Sequence, residues 1–69
     1  MKYVMTKNLE PIIFPDNIQH STFEFLHPIS AGFVSIFNNE IIVYGQSISL
    51  NLKFDINDKF IIEKYMKNI

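Results

Sequence analysis

The chain has no cysteine. Disulfides and thiolate zinc sites are therefore excluded, although domains of this length often rely on such a staple. Arginine is also missing, and all six cationic side chains are lysine: Lys2, Lys7, Lys53, Lys59, Lys64 and Lys67. Arginine's planar fork is the usual reader of phosphates and guanine edges. A chain without it, at net charge −1, lacks the positive field that nucleic-acid binding needs. The two glycines, Gly32 and Gly45, are too few and too far apart for a glycine-rich phosphate loop. No run approaches the ~20 apolar residues of a transmembrane helix. The segment Met1-Lys2-Tyr3-Val4-Met5-Thr6 lacks the longer apolar core of a signal peptide. These absences lead to the expectation of a cytoplasmic protein with no membrane or nucleic-acid partner and no cofactor.

Against these absences stands a large apolar content. Hydrophobic residues make up 48% of the 69 residues, with seven Phe and three Tyr. The length allows one domain, spanning 1–69. A domain this small buries only about 60% of the surface its unfolded chain exposes. So much apolar surface with so little interior points to burial against a second copy of the chain, hence to a homo-oligomer.

Local pattern sets out the elements. Lys2 to Thr6 reads as a short strand, with Tyr3 and Met5 on one face and Val4 on the other. Lys7-Asn8-Leu9-Glu10 is a polar turn, and Pro11-Ile12-Ile13-Phe14 is a second strand whose first residue needs no ladder donor. Residues 17 to 28 have no sustained period and read as one helical turn or an irregular loop, ended by Pro28. Ile29 to Phe37 is rich in β-branched and aromatic residues, the composition of a strand. Asn38-Asn39-Glu40 then turns the chain and Ile41 starts the return strand, giving a hairpin. From Ile42 to Phe54 the even positions are mostly apolar and the odd ones mostly polar, which predicts a dry even face and a wet odd face. Gly45 marks a bulge, or the point where one strand becomes two. Asp55 is a good helix N-cap, with Asp58 placed to close an imperfect capping box. Ile61, Ile62, Tyr65 and Ile69 follow at helical spacing.

The central stretch carries a resemblance. Its residues are Ser30-Ala31-Gly32-Phe33-Val34, Tyr44-Gly45-Gln46-Ser47 and Ser47-Ile48-Ser49-Leu50-Asn51-Leu52, with Pro11-Ile12-Ile13-Phe14 and His20 similar in kind. In this pattern the chain resembles a widespread group of short bacterial and phage proteins to which no activity is assigned. The resemblance implies a stand-alone protein and brings no reaction with it.

Few residues offer chemistry. Asp16, His20 and His27 would have to converge from a partly helical loop to ligate a metal, and ordinary loop histidines are the simpler reading. His20-Ser21 with Asp16 has the residue types of a hydrolase site. Adjacent side chains on an extended backbone point apart, however, and there is no Gly-x-Ser-x-Gly elbow. Neither a metal nor a catalytic site is therefore assigned. Ser47, Ser49 and Asn51 form a polar row with Gln46 at its edge and Ser30 across the hairpin. Together with His20 they are the candidate ligand or partner surface. The plain alternative for the row is the solvated face of an antiparallel strand. Phe23, Phe25 and Leu26 read equally as a lid over the sheet or as interface anchors.

The expected fold is α+β: a small, curled, mostly antiparallel sheet of four to five strands with one C-terminal amphipathic helix. The expected function is that of a non-enzymatic interaction protein, homo-oligomeric, binding a host or phage macromolecule. The alternative is a module with pockets at a subunit interface, holding a signalling nucleotide or other small polar metabolite.

Overall fold

A computed structural model describes residues 1–67. Four strands form an antiparallel sheet: β1 (Lys2–Met5), β2 (Pro11–Phe14), β3 (Ser30–Phe37) and β4 (Glu40–Tyr44), in the order β2-β1-β3-β4. A 3-10 helix, His20–Leu26, connects β2 to β3. β5 (Gln46–Ser47) and β6 (Leu52–Lys53) make a separate two-stranded hairpin, and α1 (Asp58–Lys67) closes the chain. The α+β reading holds, with the helix at the C-terminal end. The sheet extends beyond the predicted hairpin of β3 and β4. β1 lies between β2 and β3, and Tyr3, Val4 and Met5 are all fully buried.

Both faces of the sheet are used. On one, Tyr3, Met5, Val34, Ile41 and Val43 form a core with Ile62 of α1, and Ile13, Phe54, Ile61 and Met66 pack around it. On the other, Val4, Phe14 and Ala31 are covered by Ile18 from the turn after β2, Phe23 from the 3-10 helix, and Leu50 and Leu52 from the small hairpin. The unsettled segment before Pro28 is thus a short helix that seals the second face. Of the predicted helix face, Ile62 is buried, Ile61 half-buried and Tyr65 exposed. Ile69 lies outside the described residues.

The Asn38-Asn39 turn joins β3 to β4 directly, pairing Phe37 with Glu40. Both asparagines have positive φ, 51° and 63°, as a two-residue type I′ turn requires. Gly45, at φ 79°, ends β4 and breaks the return strand in two, as its position suggested. Gly32 is needed for close approach. A Cβ there would stand 2.6 Å from the Tyr44 carbonyl oxygen and 3.1 Å from Phe54 Cβ, and the oxygen belongs to backbone that cannot yield.

The predicted faces hold from Leu50 to Phe54, where Leu50, Leu52 and Phe54 are half-buried and Asn51 and Lys53 exposed, and are corrected from Ile42 to Ile48. In β4 the odd residues Ile41 and Val43 are buried and the even residues Ile42 and Tyr44 are exposed. Ser47, assigned to the wet face, is buried, and Ile48, assigned to the dry face, is the most exposed large apolar residue among the described residues. The alternation looks continuous, but two breaks interrupt the backbone: the left-handed Gly45, and a four-residue turn from Ile48 to Asn51. Phase cannot be carried through such breaks.

Candidate functional site

The small hairpin gathers most of the predicted polar row. Gln46 pairs with Lys53 and Ser47 with Leu52. Asn51 sits at φ 55° and donates its N–H to Ile48 O at 3.1 Å. It closes the turn in the conformation that asparagine tolerates. Ser47 serves the turn from inside: its Oγ accepts the Leu50 N–H at 3.2 Å and lies 3.3 Å from Ser49 Oγ. Its hydroxyl is therefore committed to its own loop. The outer rim remains open. Gln46, Ser47, Ile48, Asn51, Leu52 and Lys53 line a cleft of about 450 Å³. A second cleft of about 490 Å³ shares Asn51, Leu52 and Lys53 and reaches Ser30. Gln46, Asn51 and Lys53 supply amide and ammonium groups at that rim, a set able to hold a small polar or anionic molecule.

Two other candidates of the polar set belong to the interior and are corrected as surface residues. His20 is buried. Its Nε2–H donates to Gly32 O at 2.9 Å. Its ring meets Phe14 and Phe33 edge-on, at centroid distances of 5.5 and 5.7 Å. Ser30 is buried too, and its hydroxyl donates to Asp58 Oδ2 at 2.6 Å.

Asp58 is the residue that the reading of the sequence missed in importance. It is buried, and the same Oδ2 accepts the Tyr3 hydroxyl at 2.6 Å and the Asp55 N–H at 3.3 Å. The last bond is the reciprocal half of the capping box, while Asp55 Oδ1 accepts the Asn57 N–H at 2.9 Å. One carboxylate thus caps α1 and ties it to β1 and β3. Burial above all, and then the hydrogen bond to Asp58, push the Tyr3 hydroxyl well above the usual phenol range. Tyr3, Ser30 and Asp58 form a catalytic-looking group by residue type. All three are shut away from solvent, and both hydroxyl protons point at the carboxylate. The arrangement acts as a staple. The sequence signal was present, an acidic residue three past a good N-cap, but nothing local showed that it would be buried.

The aromatic anchors divide. Phe23 turns inward, its ring 4.6 Å from that of Phe14. Phe25 and Leu26 line a groove of about 480 Å³ with Pro11, Ile12, His27 and Tyr65. The lid reading therefore fits Phe23, and Phe25 faces outward. On the far half of the sheet, Phe33 and Tyr44 stack at 5.7 Å, beside exposed Phe37 and Ile42. Asp16 and His27 are exposed and His20 is buried. Among the described residues no three His, Asp or Glu side chains come together as a metal site. No described helix is long and apolar enough to cross a membrane.

No family model, curated protein or solved structure matches the chain.

Proposed function

We propose that this is a non-enzymatic interaction protein of bacterial or phage type, working in the cytoplasm as a homo-oligomer that occupies a surface of another macromolecule. One observation carries the reading. Large apolar side chains stand in solvent on several elements: Ile48 exposes 85% of its surface, Phe25 72%, Phe37 65%, Ile56 63% and Phe60 61%. Exposed apolar residues are ordinary singly, and contiguous ones mark interfaces. The groups with chemistry support the same view, because Tyr3, Ser30, Asp58 and His20 are all engaged inside the fold. Sedimentation gives the mass in solution, and affinity capture from the host, followed by reconstitution with the purified partner, tests for a stoichiometric complex. A protein that stays monomeric and binds no partner at equal ratio sinks the proposal.

A second reading rests on the cleft beside Gln46, Asn51 and Lys53. There the protein binds a small polar metabolite or signalling nucleotide. Native mass spectrometry of protein purified from its host would show the retained molecule. Asn51→Ala with Lys53→Ala should then release it. An unchanged mass with no adduct removes this reading.

A further inference from the structure

Among the described residues β4 is an edge strand, with β3 on one side and no strand on the other. Val34 sends both of its backbone groups to Met1: its N–H to Met1 O at 2.8 Å, while its carbonyl accepts the Met1 amino group at 3.1 Å. Its β4 partner, Val43, therefore sits at a pair that exchanges no hydrogen bonds with β3, and its own N–H and C=O point outward. By alternation the same holds for Ile41, while Glu40, Ile42 and Tyr44 bond to β3. Among the described residues, Ile41 and Val43 make no hydrogen bond beyond the sheet. Edge strands are normally protected by Lys, Pro, a bulge or a covering segment. β4 reads Glu-Ile-Ile-Val-Tyr, with neither Lys nor Pro, and its one charge, Glu40, stands at the turn end of the strand.

We propose that the partner of this edge is β4 of a second copy, antiparallel about a two-fold axis at Ile42. This rests on the homo-oligomer reading above and names its surface. The register follows from the chain itself. Outward groups must meet outward groups, so Ile41 and Val43 can face only Ile41 or Val43 of the other copy. Of the symmetric pairings that allow this, only the one centred on Ile42 pairs all five residues of each strand. Ile41 then lies opposite Val43 twice, exchanging four backbone hydrogen bonds. Glu40 lies opposite Tyr44 twice, which sets a carboxylate acceptor against a phenol donor. Ile42 meets its own copy. The contact is isologous and closed, and it converts two four-stranded sheets into one of eight strands. The exposed row of Phe37, Ile42 and Tyr44 becomes continuous across the axis.

The absence of cysteine makes the test direct. Facing residues at a pair without hydrogen bonds have Cα atoms roughly 4.5 Å apart, within the span a disulfide bridges. Ile42→Cys should oxidise almost wholly to a covalent dimer, while Ile48→Cys, more exposed but away from the axis, should cross-link only slowly. The parent chain should sediment at twice its monomer mass. Ile42→Lys should sediment as a monomer with an unchanged circular dichroism spectrum. If Ile42→Lys fails to fold, the cross-linking rate of the Ile42→Cys variant relative to that of Ile48→Cys decides. A dimeric parent whose Ile42→Cys variant cross-links no faster than Ile48→Cys overturns the β4 pairing and leaves the interaction reading standing. A monomeric parent overturns both the pairing and the homo-oligomer.

Discussion

Asp58 shows how much one residue can hold. Its Oδ2 takes hydrogen bonds from Tyr3, Ser30 and the Asp55 N–H. Truncating it leaves two buried hydroxyls without an acceptor, and each such orphan costs about 1–3 kcal/mol. Asp58→Ala should therefore lose about 3 kcal/mol in urea unfolding, whereas Asp58→Asn, which keeps an acceptor oxygen, should lose about 1 kcal/mol. Equal losses would show that the charge and not the acceptor matters. Tyr3 adds a pH signature. Its hydroxyl titrates higher in the folded chain than in the unfolded one, because burial and Asp58 both favour the protonated form. The stability it contributes is complete below the unfolded phenol value of about 10 and declines as pH rises beyond it. Tyr3→Phe should flatten the alkaline limb of a stability-against-pH curve. A limb as steep in the variant as in the parent would place its origin elsewhere.

Among the elements, the β3–β4 hairpin is the most locally specified. Its turn needs positive φ at two successive positions, and asparagine meets that need with some strain. Asn39→Gly should raise stability by about 0.5–1 kcal/mol, since glycine adopts this backbone without steric cost. A loss would mean that the Asn39 side chain makes a contact worth more than the relieved strain. The small β5–β6 hairpin contrasts with it. It has two residues in each strand and is held by Ser47 within the loop and by Leu50 and Leu52 against the second core. It depends on the body of the protein for its shape, and the cleft at its rim depends on it in turn.

Taken as a whole molecule, the chain buries two small cores and leaves Phe, Ile and Tyr side chains in water. Folding linked to association makes stability depend on concentration. If the chain is a dimer, its melting temperature should climb as concentration is raised over a roughly hundredfold range. Each tenfold step is worth about 1.4 kcal/mol of dimer stability. The Ile42→Lys variant should melt at one temperature throughout. A parent melting point independent of concentration would argue for a monomer whose apolar surface is left for a different partner.

What the sequence determined by itself was whatever depends on neighbours along the chain. Tyr3 and Met5 alternate with Val4, two asparagines accept left-handed backbone, Gly45 breaks a strand, and Asp55 starts a helix. Each of these was legible because it rests on backbone sterics or on a period of a few residues. The class of the fold and the order of its main elements follow from them. Only the tertiary structure decided which side of β4 is dry, because Gly45 resets the phase and only the sheet's contact with α1 chooses a face. It likewise drew Ser30 and Ser47 out of an apparent polar row, one to Asp58 and one to its own turn, and sealed His20 between Phe14 and Phe33. Ser47 is bound within its own turn, three residues from Leu50, but the Asp58 network joins residues 28 and 55 positions apart. No local pattern carries information over that distance. A polar side chain reads as solvated until the partner that buries it is seen.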